Sequence, residues 1–124
     1  MPVHWAVEGD LVSLTFDGEY SFDDIAQAAG HGLQAVAGPV RLLVDATPTA
    51  RLPDGRGVEQ RIGLLRELAA RLAGPVAIVA TPGAMYGIAR QIGQQAEVPD
   101  PLTVRVFDRL ADARDWLERG ALPD

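Results

Sequence analysis

PVRLLVDA, residues 39–46, is a short run rich in Val and Leu, broken by one Arg and closed by Asp45. GPVAIVA at residues 74–80 and LTVRVF at residues 102–107 have the same character. Runs this short and this apolar belong to strands covered on both faces, the environment of a parallel sheet. Each is followed by a segment of helical period. Val58, Ile62, Leu65, Ala69 and Leu72 form the stripe after the first run, and Glu67 with Arg71 adds a pair four residues apart. Thr81-Pro82 reads as an N-cap followed by proline at the first helical position. Leu110, Ala113 and Leu117 mark the last helix, with Gly120 as its stop. The linkers are PTARLPDGRG, residues 48–57, and AEVPDPL, residues 96–102.

Upstream the period is two. Val3, Trp5 and Val7 alternate with His4 and Ala6, and Val12, Leu14 and Phe16 alternate with Ser13 and Thr15. Gly9-Asp10 between them is a two-residue hairpin signal, because glycine tolerates the positive φ such turns need. In EYSFDDIAQAAGHGLQAVAG, residues 19–38, the period becomes helical, with Phe22, Ile25, Ala26, Ala29, Leu33 and Val36 on one stripe. Ser21 is placed as N-cap, and Asp23 and Asp24 lie in the first turn, where the helix dipole favours negative charge. Tyr20 and Ile25 are spaced for a hydrophobic staple. Gly30 and Gly32 weaken this helix and predict a bend or an early end. The predicted order is ββαβαβαβα: an α/β domain over residues 1–124, with a mixed five-stranded sheet, an antiparallel N-terminal hairpin and four helices.

The totals narrow the function. A chain of 124 residues fits one domain and buries enough surface to fold without staples. There is no cysteine, which excludes disulfides, thiolate metal sites and a cysteine nucleophile. All 11 cations are arginine and are scattered among 17 carboxylates, giving a net charge of −6 and no basic face for nucleic acid. The N-terminal MPVHWAVEGD lacks the features of a signal peptide, and no apolar run is long enough to span a bilayer. A cytoplasmic protein is expected.

The order of elements, ending in VRVFDRLADARDWLE at residues 104–118, resembles the SpoIIAA-like bacterial proteins, distant relatives of the STAS domain of anti-sigma-factor antagonists. The resemblance implies a non-enzymatic module that contacts a regulatory protein through the loop and helix start at residues 46–58. In STAS antagonists a strand ends in Asp, and a D-S-x-G turn carries the phosphorylated serine. Here Asp45 ends the strand, and Asp54-Gly55-Arg56-Gly57 fills the turn, with Gly55 at the serine position. The switch is therefore expected to be absent, with Thr47 or Thr49 the only hydroxyls in that loop to substitute. Thr47, Thr49, Asp54, Gly55, Arg56 and Gly57 are the expected partner contacts.

Catalytic sets are sparse. His4 and His31 are the only histidines and lack the spacing of a metal site, so no metal or cofactor is expected. Asp45 and Asp54 are the remaining acid–base groups, and an enzyme is not expected. VATPGAMYG, residues 79–87, runs from strand to helix but matches no phosphate-binding motif. Ligands in α/β sheets bind beyond the carboxyl ends of strands, so Thr81, Met85 and Tyr86 are the alternative site, for a small apolar, lipid-like ligand. The resemblance leads the same way, since the related structural family includes domains likened to lipid carriers. The edge strand at residues 3–7 is a candidate for homodimer pairing.

Overall fold

In the computed structural model, which describes residues 3–49, 52–96 and 103–119, the elements follow the predicted order. β1 (Val3–Glu8) and β2 (Leu11–Phe16) pair antiparallel across the two-residue turn, where Gly9 has φ 61°. Next come α1 (Phe22–Gln34), β3 (Val40–Asp45), α2 (Gly55–Leu68), β4 (Leu72–Val79), α3 (Ala84–Ala96), β5 (Thr103–Phe107) and α4 (Leu110–Glu118). Pairing from β2 to β5 is parallel, and the strands lie in the sheet in chain order, β1-β2-β3-β4-β5.

That order explains the layering. Right-handed crossovers that always step in the same direction place their helices on one face. α1, α2 and α3 accordingly cover one face, burying Val3, Val12, Leu14, Leu42, Val76 and Ile78. α4 leads into no further strand among the described residues and is free of that constraint. It covers the opposite face, where Ala113 and Leu117 meet Leu11, Leu43, Ala77 and Val79. Central strands are thus sandwiched, which is why their sequences are nearly all apolar.

Several local expectations need correction. α1 runs without interruption through Gly30 and Gly32. Ser21 caps it as predicted, and Asp24 returns the bond: Ser21 Oγ accepts from the Asp24 N–H at 3.2 Å, and Asp24 Oδ2 accepts from the Ser21 N–H at 2.9 Å. Trp5 shares a face with Val3 but is 42% exposed, its ring stacked on His31 of α1. α2 ends at Leu68, so Leu72 belongs to β4 and pairs with Val40. Arg71 then lies past the helix, and its guanidinium donates to the carbonyls of Leu33 and Val36 instead of meeting Glu67. Pro82 is not the first residue of α3; Gly83, at φ 114°, cannot be helical, and its carbonyl accepts the first helical bond from Gly87 at 3.1 Å. Gly120 and residues 97–102 lie outside the described residues.

Arg41 ties the hairpin turn to α4. Its Nε and one terminal nitrogen donate to Asp10 Oδ1 at 3.0 and 2.8 Å, and the other terminal nitrogen donates to the Leu117 carbonyl at 2.7 Å, at the end of α4. The Arg41 hydrogen bond holds the Asp10 carboxyl below its ordinary value of 3.8. A carboxyl whose pKa drops on folding adds stability above its unfolded pKa, and that stability fades as pH falls through the folded one. Asp10→Asn is therefore expected to lower the melting temperature slightly near neutral pH, by a difference that shrinks as pH falls below the ordinary carboxyl range and vanishes once Asp10 is protonated in the folded chain as well. The Asp10 side chain is half exposed, so the neutral-pH difference stays under about 1 kcal/mol. Thermal melts of both chains across that range check it.

Candidate functional site

The carboxyl ends of β3 and β4 open into two loops, described at residues 46–49 and 52–54 and at residues 80–83. Asp45 closes the first turn, because its Oδ1 accepts from the Thr47 N–H at 3.0 Å and the Thr47 hydroxyl at 2.7 Å. Thr49 turns inward, is 5% exposed and donates its hydroxyl to the Gly18 carbonyl at 3.0 Å. Asp54 caps α2, accepting from the Gly57 N–H at 2.7 Å. Both acid–base candidates therefore hold backbone in place.

Between these loops lies a cleft of about 360 Å³, lined by Thr47, Pro48, Thr49, Leu52, Thr81, Pro82, Ala84 and Met85. It brings together four sequence-predicted residues, Thr47, Thr49, Thr81 and Met85. It does not include Asp54, Gly55, Arg56 or Gly57, which occupy the start of α2. Gly55 and Arg56 are exposed there, and Gly57 is buried. Tyr86 also departs from the predicted set. Successive helical residues point about 100° apart, so Tyr86 turns to the edge strand, where its hydroxyl donates to the Val106 carbonyl at 3.3 Å.

Met85 also lines a second space, which extends under α2 and is lined by neither Thr81 nor Tyr86. The backbone of α2 approaches α3 and α1 more than it approaches any strand. α2 therefore stands off β3 and β4, and its Leu64, Leu65 and Leu68 side chains only partly fill the gap. The result is an apolar cavity with about 80 Å³ of room for the centre of a water-sized sphere. One water needs roughly 10–15 Å³ on that measure. Its walls include Phe16, Leu42, Val44, Ile78, Ile88, Ala89 and Ile92. Tyr20 and Arg61 are the two lining residues with a polar nitrogen or oxygen in the side chain. Met85 lines both spaces and forms the wall between cleft and cavity.

Arg61 was missed because it sits at the margin of an apolar stripe, where arginine ordinarily faces water. Its one legible signal is position, three residues before Leu64 and four before Leu65 on the same helix. Elsewhere, His4 lies 3.9 Å from an Asp17 carboxylate oxygen, and His31 lies under Trp5. Among the described residues, no three His, Cys, Asp or Glu side chains group so as to hold a metal. No helix among them is long and apolar enough to cross a membrane.

No protein-family model matches the chain, and no curated protein matches it. Among solved structures it is similar to an uncharacterized protein of the DUF3478 family with a SpoIIAA-like fold, from Shewanella loihica PV-4. The TM-score is 0.62 at 17% identity, over 93% of this chain and 91% of that one. At that identity the likeness is one of architecture: the chain has a SpoIIAA-like α/β fold.

Proposed function

We propose that this SpoIIAA-like domain is a non-enzymatic module that binds a small, largely apolar ligand, admitted from the rim cleft past Met85. The apolar cavity under α2 carries this reading. An apolar void under a well-formed helix forfeits dispersion contacts, which makes it a natural receptor for an apolar chain. Met at the boundary suits entry, since its unbranched side chain swings between rotamers at little cost. Native mass spectrometry of the protein purified from cells is expected to show a small adduct. Ala89→Leu, which fills the cavity with three more carbons, is expected to abolish the adduct and raise the apo protein's stability by about 1 kcal/mol. An apo mass for the native chain, together with a destabilised Ala89→Leu, would remove the basis of this reading.

A second reading rests on Leu52. This residue, in the rim loop, is 46% exposed, and an apolar side chain on a contact loop favours a protein partner bound through residues 46–58. No atom lies within 4 Å of a Cβ built on Gly55, so Gly55→Arg alters that surface without disturbing the core. Equal recovery of any co-purifying protein by the native chain and Gly55→Arg would count against this reading.

A further inference from the structure

We infer that Arg61 and Tyr20 make the cavity selective for a monocarboxylate with a short apolar tail. This deepens the ligand-binding reading and rests on it. Arg61 is half-buried against an otherwise apolar wall, and a cation so placed gives up part of its hydration. One of its terminal nitrogens donates to the Gly57 carbonyl at 2.8 Å and the other to the Tyr20 hydroxyl at 3.4 Å, with the guanidinium 5.7 Å from that ring's centroid. None of these partners is charged. Arg41 and Arg119 differ, since each reaches an aspartate. Among the described residues no carboxylate lies within ion-pairing distance of Arg61, in a chain carrying 17 acidic residues.

A guanidinium has five donors in a planar fork that fits a carboxylate in two-point contact, and two of the five are engaged here. The Tyr20 oxygen accepts from Arg61, which leaves its own proton to donate to the same anion. Both groups therefore bring donors to a cavity whose other lining side chains carry no nitrogen or oxygen. The volume sets the tail: about 80 Å³ holds on the order of half a dozen non-hydrogen atoms.

Isothermal titration with octanoate and with 1-octanol, equal in chain length and different in head group, tests this. The native chain is expected to bind octanoate at least tenfold more tightly. Arg61→Gln is expected to erase that preference, and Arg61→Lys, which keeps the charge and loses the fork, to retain part of it. Equal affinities in the native chain would overturn the head-group assignment and leave the cavity as a site for neutral apolar molecules. A preference that persists in Arg61→Gln would place the selectivity elsewhere. Binding of neither compound, with no adduct on the native protein, would overturn both the selectivity and the ligand-binding reading. Should Arg61→Gln not fold, the Arg61→Lys comparison decides alone, since an unchanged preference there contradicts two-point recognition.

Discussion

Leu117→Ala is expected to cost about 3 kcal/mol, among the largest losses that truncating one side chain of this domain can cause. Leu117 is fully buried, and among the described residues α4 is the sole helix on its face of the sheet. Its partners Leu11, Leu43, Ala77 and Val79 come from three strands, none of which can move without disturbing the cluster beneath α1–α3. The cavity left by truncation is therefore not relieved by collapse, which keeps the cost at least at the level usual for buried leucine. Trp116 and Phe107, with ring centroids 5.6 Å apart, hold the outer side of the same contact and keep α4 near the sheet. Global stability is on the order of 5–15 kcal/mol, so this one change removes a large part of it. Urea denaturation followed by circular dichroism measures it directly. A loss under about 1 kcal/mol would mean that α4 contributes little to the fold.

The second large effect is a contrast within one helix. Gly32→Ala is expected to destabilise by about 1–2 kcal/mol, whereas Gly30→Ala stabilises by about 0.5–1 kcal/mol. Alanine is the better helix former at both positions, so propensity alone predicts the same sign twice. Geometry separates them. A Cβ on Gly32 would stand 2.5 Å from Val12 Cγ1, and one on Gly30 meets nothing within 4 Å. Val12 is fully buried and β-branched, with χ1 restricted by its two branches, so the methyl has nowhere to retreat. Gly32 is thus the point where α1 closes onto β2, not a break in the helix. Gly93 repeats the device where α3 meets β5, with Val104 Cγ1 at 2.8 Å from the equivalent atom. Matching signs for the two α1 variants, read from the same urea melts, would show that the helix does not sit this close to the sheet.

Much of the architecture is legible from short-range patterns. The Val- and Leu-rich runs at 40–45 and 76–79 announce strands buried on both faces, and Gly9-Asp10 announces the hairpin. Local reading misled where tertiary contact decides. Gly32 looks like a helix breaker because its neighbour in space, Val12, lies on another element. Leu72 extends the stripe of α2 in period, yet its pairing with Val40 assigns it to β4. Arg71 is spaced for Glu67 and instead serves three carbonyls, one in the last turn of α1 and two just past it.

The candidate site was legible in part. Thr47, Thr49, Thr81 and Met85 converge because the carboxyl ends of neighbouring parallel strands are adjacent, which the strand order implies. An apolar pocket was expected beside Met85, but its reach under α2 was not legible, since the stand-off of α2 is a distance between elements that no periodicity encodes. Arg61 followed the same logic: only with Tyr20 brought against it from the loop before α1 does its lack of a carboxylate partner acquire meaning.

That the space under α2 receives a ligand is tested most directly by methyl-resolved NMR during titration with octanoate. Met85, Ile88, Ile92 and Leu64 line the cavity, and Leu43 and Leu117 lie on the far face of the sheet under α4. Saturable shifts are expected in the first group and none in the second. Shifts spread equally over both groups, or none at all at millimolar ligand, would contradict a binding site in this cavity.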